Sequence, residues 1–422
     1  MTLIKTSVLS AIATVISMIN SFVVTKIIAI YVGPSGMALI GQFQNFLTIL
    51  MSFATGAINN GVVKYTAEYR DNDSEKQKLW STALRISLSA TFLTALLVGY
   101  FHKQLSVIFF KSSEYQDIFL IFSLTLVFFV LNTLLLAILN GQKEIKKLTV
   151  VNIASSFISL LLTGSLAYYY GLYGALLSYS TAQALVFFIT LGFVIKSQWF
   201  KIKFFTEKLN RAYLKKLANY TLMIMTTALT VPVSQIIVRD YIGETIDWNH
   251  AGYWDAISKI SNSYLSIITT TLATYYLPKL SEINDPVELK KEILYGYKIV
   301  IPIVLVTAIS IFYAKDIVIK ILFTPQFIPM RDLFFYQLLG DIFKIASWLL
   351  GYIMVAKAMT KVFISTEIIF SLSFVLLSIG FIKTYGLIGV TMAFAINYFL
   401  YLIVMAFIFK NILTLKTKIK TI

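Results

Sequence analysis

Apolar runs of about 20 residues, separated by short polar segments, follow one another along the whole chain. They fall near 7–31, 38–62, 82–101, 118–139, 148–169, 173–195, 217–238, 251–277, 294–314, 333–356, 362–382 and 386–409. A run of that length is what an α-helix needs to cross the ~30 Å hydrocarbon core of a bilayer. The pattern predicts an all-α polytopic membrane protein with twelve transmembrane helices. The first run, Ser7 to Tyr31, is too long for the apolar core of a secretory signal and meets no small-residue cleavage site, so it is expected to stay as a helix.

Composition narrows the class. Of 422 residues, 58% are apolar or aromatic and only 13% are charged, about half the charge of a soluble domain, so a large soluble domain has no room. A formal charge of +16 would suggest nucleic acid in a soluble protein, but here the basic residues sit between the apolar runs. With the N-terminus inside, alternate segments hold 26 Lys and Arg on the inner side and 7 on the outer, with Lys26, Lys259 and Lys344 inside spans. The bias of basic residues predicts that both termini are cytoplasmic and that no nucleic acid is bound.

Catalytic and cofactor chemistry finds little support. The chain has no Cys, which excludes disulfides and thiolate-ligated metals. His102 and His250 stand far apart in the sequence, and no Gly-x-x-x-x-Gly-Lys-Ser/Thr loop occurs. Asp71-Asn72-Asp73 has the spacing of a metal-binding acidic pair but reads as solvated loop. No metal, no cofactor and no enzymatic activity are expected.

Compared with itself at a shift near 215, the chain aligns Tyr170-Gly171-Leu172-Tyr173-Gly174 with Tyr385-Gly386-Leu387-Ile388-Gly389 and Lys146 with Lys361. At a shift of 216 to 217, Gly36 meets Gly252 and Asn45 meets Asn262. Six spans therefore repeat as six, and an even number gives two parallel six-helix lobes. The expected division is an N-terminal lobe 1–200, a basic linker 201–216 and a C-terminal lobe 217–422. The stretch from Lys196 to Lys216 carries seven basic residues among Trp199, Phe200, Phe204 and Phe205, which suits an interfacial connection and also an anionic lipid headgroup.

Polar residues within the spans are the candidate site. Gln42, Asn45, Thr48, Ser52, Thr55 and Asn59 follow at helical steps along the second span, and Asp255, Lys259, Asn262, Ser266 and Thr269 do so along the eighth. Such stripes either glue helices together or line a wet cavity, and Asn, Gln and ionised groups point to the cavity. The first span has Ser7, Ser10, Thr14, Ser17, Ser21 and Thr25 on one face, which points to packing. Asp255 with Lys259 and Asp341 with Lys344 are spaced to close as pairs within a helix, and such pairs also serve merely to make burial tolerable. Lys26, about 100° round the helix from Thr25, either faces the cavity to hold a phosphate or snorkels to the outer surface. Asp255, Asp341 and Glu367 are the carboxylates able to carry a coupling ion.

The residues Asn60-Gly61-Val62-Val63-Lys64-Tyr65-Thr66-Ala67-Glu68-Tyr69, Met330-Arg331-Asp332-Leu333, Gln337-Leu338-Leu339-Gly340-Asp341 and Ala356-Lys357-Ala358 resemble the Wzx-type flippases of bacterial surface polysaccharides, with Lys26 before Gly33-Pro34 and Gly252 opening the eighth span in keeping. The resemblance spans the whole chain. It implies the multidrug/oligosaccharidyl-lipid/polysaccharide exporter fold, two lobes around a cavity opening alternately to each side, and the inner membrane as location. It implies an undecaprenyl-pyrophosphate-linked oligosaccharide as substrate, ion-gradient coupling, and a polysaccharide polymerase and chain-length regulator as partners. Lys26, Gln42, Asn45, Asn59, Asp255, Lys259, Asn262, Asp341 and Lys344 would then bind substrate, with Arg85 and Arg239 as further cations. Lys outnumbers Arg 31 to 5, a composition that favours an O-antigen repeat unit over common antigen. The competing reading on the same fold is an ion-coupled antiporter of cationic drugs.

Overall fold

A computed structural model of the protein describes residues 3–414, with the backbone alone at 3–13, 215 and 218–221. Ser7 and Ser10 of the predicted packing stripe therefore lie outside the described side chains. The described residues contain helices and turns but no strand, as a chain in lipid requires, since a helix satisfies its backbone donors and acceptors within itself. They form two compact units, Met1–Pro232 and Val233–Ile422.

The first unit contains α1 (Leu3–Tyr31), α2 (Gly33–Ala54), α3 (Asn59–Glu68), α4 (Asp73–Tyr100), α5 (His102–Phe110), α6 (Gln116–Gly141), α7 (Ile145–Ile195), a 3₁₀ turn at Ile202–Phe205 and the start of α8 (Arg211–Thr245). The second has the end of α8, α9 (Trp248–Thr271), a π-helical turn at Leu272–Tyr276, α10 (Leu277–Glu282), α11 (Pro286–Leu322), a 3₁₀ segment at Pro325–Leu333, α12 (Phe334–Ala356), α13 (Thr360–Tyr385), α14 (Ile388–Ile408) and α15 (Lys410–Leu413). Ten described helices are long and apolar enough to cross a membrane. α7 supplies two crossings because its backbone leaves helical geometry at Gly171. α9, less hydropathic because of its polar stripe, completes the predicted twelve. Exposed Phe92, Leu124, Leu161, Leu376 and Phe407 present apolar surface to lipid.

Two spans differ from their predicted form. The second does not continue to residue 62: α2 stops at Ala54, and Gly56 and Ala57 take positive φ (64° and 51°) before α3 begins. Asn59 therefore belongs to a different helix from Gln42 and Asn45, and the six-residue stripe is interrupted. The seventh span does not end at 238: α8 runs to Thr245 and carries Arg239 and Asp240 within the helix.

The segment after α7 is docked on the first unit. Trp80 packs against Trp199, Phe204 and Phe205 at ring-centre distances of 5.3, 5.5 and 5.8 Å. Ser81 Oγ donates to the Phe204 carbonyl at 2.9 Å and accepts from the Glu207 N–H at 3.0 Å. Lys216 donates to the Tyr69 hydroxyl at 2.8 Å and lies over the rings of Tyr65, Tyr69 and Tyr213. That hydrogen bond holds the Lys216 ammonium above the ordinary lysine range. The acidic tripeptide has a structural use: Asn72 caps α4 by accepting from the Glu75 N–H, and Asp73 pairs with Lys76 and Lys201.

The duplication is written in the backbone. Gly171 (φ 55°, ψ −130°) and Gly386 (φ 62°, ψ −146°) share a conformation that side-chain-bearing residues avoid. Lys143 and Ala358, 215 positions apart, both have positive φ. Glu144 and Met359, which follow them, have nearly equal angles (φ −78°, ψ 53°; φ −78°, ψ 58°). Gly174 abuts the Leu166 carbonyl and Gly389 the Phe381 carbonyl, in each case the residue eight positions back. α4 and α11 both start on a side-chain cap, from Asn72 and Asp285. The halves diverge where the α2–α3 turn of the first corresponds to the π-helical turn of the second.

Substituting Ala at Gly171 or Gly386 should destabilise the protein by about 1–3 kcal/mol through forced φ/ψ strain. Gly380→Ala, at a helical glycine where nothing lies within 4 Å of an added Cβ, should be neutral or mildly stabilising. Thermal unfolding of the purified variants in detergent checks both.

Candidate functional site

The second unit gathers the intramembrane charges. Asp255, one turn into the buried face of α9, meets Arg239 of α8: Nη2 donates to Oδ1 at 2.8 Å, and both side chains are nearly fully buried. Lys259, one turn further along α9, stands 3.5 Å from Oδ2, an oxygen that accepts no hydrogen bond. The predicted Asp255–Lys259 pair thus forms, but as the longer arm of a three-member network whose shorter arm crosses between helices. The Arg239 guanidinium also lies 5.5 Å from the Trp254 ring centre. α9 is held in place by Asp247, whose Oδ1 accepts from the His250 N–H at 2.9 Å.

Asp341 and Lys344 do not pair. Asp341, on the buried face of α12, turns to α9 and accepts from Ser261 Oγ at 2.6 Å and Tyr264 OH at 2.8 Å, with Gln337 Nε2 at 3.4 Å from its other oxygen. All three partners are neutral. Lys344 instead lies over Trp348 of its own helix at 5.0 Å and over Tyr398 and Phe394 of α14 at 5.8 and 6.0 Å. Three ring faces supply negative quadrupole where the sequence suggests a carboxylate. The reason is angular: residues three apart on a helix diverge by about 60°, so Asp341 reaches α9 while Lys344 reaches α14.

Glu367 of α13 is half-buried, and among the described residues no ion pair holds it. Asn262 is exposed on α9. In the first unit, Lys26 is half-buried on α1 and Gln42 fully buried on α2. Asn45 Nδ2, Asn59 Oδ1 and Asn20 Nδ2 are buried atoms with no hydrogen-bond partner among the described residues. The hydroxyls of Thr48, Ser52 and Thr55 bond back to carbonyls of their own helix, so Asn45 Nδ2 and Asn59 Oδ1 are the groups of this stripe with capacity left for a ligand. Ser17 of α1 meets Ser156 of α7 at 2.9 Å, a packing contact as its stripe suggests. Arg85 is exposed and donates to the Glu207 carbonyl at 3.0 Å.

Sequence reasoning missed Ser261, Tyr264, Phe394 and Tyr398. Gln337 and Trp348 stand four residues from Asp341 and Lys344 on the same helix, but the neutral and aromatic partners on α9 and α14 carry no signal at short range. Among the described residues no group of His, Asp and Glu could hold a metal ion.

Residues 43–332 match the model of a family described as polysaccharide biosynthesis protein. The chain is 29% identical to the lipid III flippase of Escherichia coli (strain K12) over 406 residues, covering 95% of this chain and 96% of that one, and matches the lipid III flippase of Shigella flexneri equally. Among solved structures, the lipid II flippase MurJ in an inward closed conformation superposes with a TM-score of 0.75 at 18% identity, covering 96% of this chain and 87% of that chain. An inward-facing multidrug resistance MATE family transporter of the MOP superfamily superposes with a TM-score of 0.72 at 13% identity, covering 95% and 94%. At such identities the two superpositions establish a shared fold.

The buried network yields a stability prediction. Asp255→Ala, which strands Arg239, should cost about 3–5 kcal/mol, whereas Arg239→Met combined with Asp255→Ala should recover a large part of that loss. Thermal unfolding of the single and double variants in a double-mutant cycle checks it.

Proposed function

The chain belongs to the polysaccharide biosynthesis protein family, and from that premise we propose that it is a flippase. Its cargo is an undecaprenyl-pyrophosphate-linked oligosaccharide repeat unit of O-antigen or common-antigen type. It moves that unit from the cytoplasmic to the periplasmic leaflet of the bacterial inner membrane by alternating access, delivering it to a polymerase and its chain-length regulator. The observation that carries this reading is Lys344, a cation within a span that lies over Trp348, Phe394 and Tyr398 and forms no ion pair among the described residues, Asp341 one turn away on its helix being held instead by hydroxyls. An ammonium so placed attracts a phosphate oxygen without first breaking an ion pair, and the same rings offer flat apolar faces to sugar.

Lys26, Lys259 and Lys344 hold the pyrophosphate, while Gln42, Asn45, Asn59 and Asn262 hydrogen-bond sugar hydroxyls. Asp255 keeps Arg239 and Lys259 compensated when no anion is present. Asp341 is the strongest candidate for ion coupling, ahead of Asp255 and Glu367. Its partners are two hydroxyls and an amide, so it takes up or gives up a proton or a monovalent cation without disrupting a salt bridge. Support from relatives lies in the near full-length match to a lipid III flippase. A drug antiporter, the competing reading, would need acid in excess for a cationic cargo, which a Lys344 in no ion pair among the described residues opposes.

Deleting the gene in its own strain should leave complete single repeat units on undecaprenyl-pyrophosphate in the cytoplasmic leaflet, measured by mass spectrometry with leaflet labelling. Lys26→Ala and Lys344→Ala should each lower export by about 10- to 100-fold at normal membrane abundance, the value of one charge-assisted contact. Undiminished export of repeat units with altered drug tolerance would assign the antiporter instead.

A further inference from the structure

At the start of α11 an open cleft of about 360 Å³ is lined by Lys279, Ile283, Glu288, Lys291, Glu292 and Tyr295. We propose that this cleft binds the headgroup of a phospholipid that carries both a phosphate and a primary ammonium.

The cleft is built on firm ground. Its rear wall belongs to the apolar core, with Leu280, Ile283, Leu289 and Ile293 in one cluster. Asp285 caps α11 by accepting from the N–H groups of Val287 and Glu288 at 3.2 and 3.3 Å. Lys357 donates to the carbonyls of Ser281 and Ile283, fixing the turn between α10 and α11. The charges on this frame are left over. Among the described residues, the side chains of Lys279, Glu288, Lys291 and Glu292 form no ion pair and no hydrogen bond, although opposite charges line the same cleft. Two lysines and two carboxylates lining one cleft fit a zwitterion: lysines to the phosphate, carboxylates to the ammonium.

Depth and direction make the zwitterion a lipid. α11 has 37 residues, about 55 Å at 1.5 Å per residue, against a hydrocarbon core of about 30 Å. Its first turns therefore stand in the headgroup layer, on the side that the basic-residue bias marks as cytoplasmic. From the cleft, Tyr295, Ile299, Ile303 and Val306 continue one helical face of α11, all exposed, with Tyr295 at 56% and Val306 at 64%. A lipid seated by its headgroup lays its acyl chains along that face. The carboxylates select among lipids. A primary ammonium donates short charge-assisted hydrogen bonds to them, a trimethylammonium has no N–H to donate, and a headgroup without an amine would leave Glu288 and Glu292 repelling its phosphate.

The test is binding, measured by native mass spectrometry on the full-length protein in detergent titrated with dioleoyl phosphatidylethanolamine, phosphatidylcholine or phosphatidylglycerol. Wild type should retain phosphatidylethanolamine over phosphatidylcholine by about tenfold, the scale of one hydrogen bond to a charged group. Glu288→Gln with Glu292→Gln should bring that ratio to one, and Lys279→Gln with Lys291→Gln should reduce retention of every phospholipid. Thermal midpoints equal to wild type confirm that the variants fold, and an unfolded pair is replaced by the single substitutions. Equal retention of phosphatidylethanolamine and phosphatidylcholine by wild type overturns the proposal. Preference for phosphatidylglycerol, strengthened by the Glu→Gln pair, also overturns it and assigns an anionic-lipid patch. Transport activity plays no part in this readout, so its outcome is independent of the flippase reading.

Discussion

A charge placed among apolar helices in lipid loses its water, and the cost falls only if other groups on the protein replace that water. The packing of the second unit follows from how five such groups are compensated. Arg239 and Asp255 satisfy each other across α8 and α9, with Lys259 beside them. Asp341 draws two hydroxyls from α9 to α12. Lys344 is accommodated by rings from α12 and α14. Three helix contacts are thereby specified by polar chemistry within surroundings where apolar side chains, equally at home in lipid, provide little direction.

These three modes of compensation differ in what they leave available. An ion pair is closed to other ligands unless it breaks. A carboxylate held by hydroxyls keeps its capacity to titrate, and an ammonium over aromatic rings keeps its N–H donors for an anion. The second and third modes, on neighbouring turns of α12, offer an ion-responsive group and an anion-responsive group within one rigid element. That proximity is what the proposed coupling of cargo to an ion gradient would use.

The internal repeat supplies the frame, and the differences between its copies supply the chemistry. The Gly171 and Gly386 turns and the Lys143 and Ala358 positions show that both halves bend at equivalent points. Yet the first half breaks its second span at Gly56–Ala57, while the second half stays helical through a π turn at Leu272–Tyr276. π turns are often found at functional sites. Arg239, Asp255, Lys259, Asp341 and Lys344 lie in the half that has this one, with Asp255 and Lys259 on the helix leading into it. In the first half the equivalent stripe presents amides instead, with Asn45 Nδ2 and Asn59 Oδ1 unpartnered among the described residues.

Hydropathy made the helical, many-span architecture legible, because a membrane imposes a length and a composition on each span, and ten described helices meet that requirement. The duplicated glycine motif was equally legible, since a backbone conformation open only to glycine leaves its mark in the residue itself. The candidate site was legible as a set of residue types at helical spacing, but not as a set of partnerships. Spacing could offer Asp255 only Lys259 and Asp341 only Lys344, the residues within one turn. Tertiary structure decided otherwise, giving Asp255 its short contact with Arg239, Asp341 its hydroxyls from Ser261 and Tyr264, and Lys344 its rings. It also separated Asn59 from Gln42 and Asn45 by ending α2 at Ala54. The physical reason is common to all of these: which partner a buried polar group meets depends on which neighbouring helix its side chain faces, and that is fixed by packing over distances that a sequence pattern does not encode.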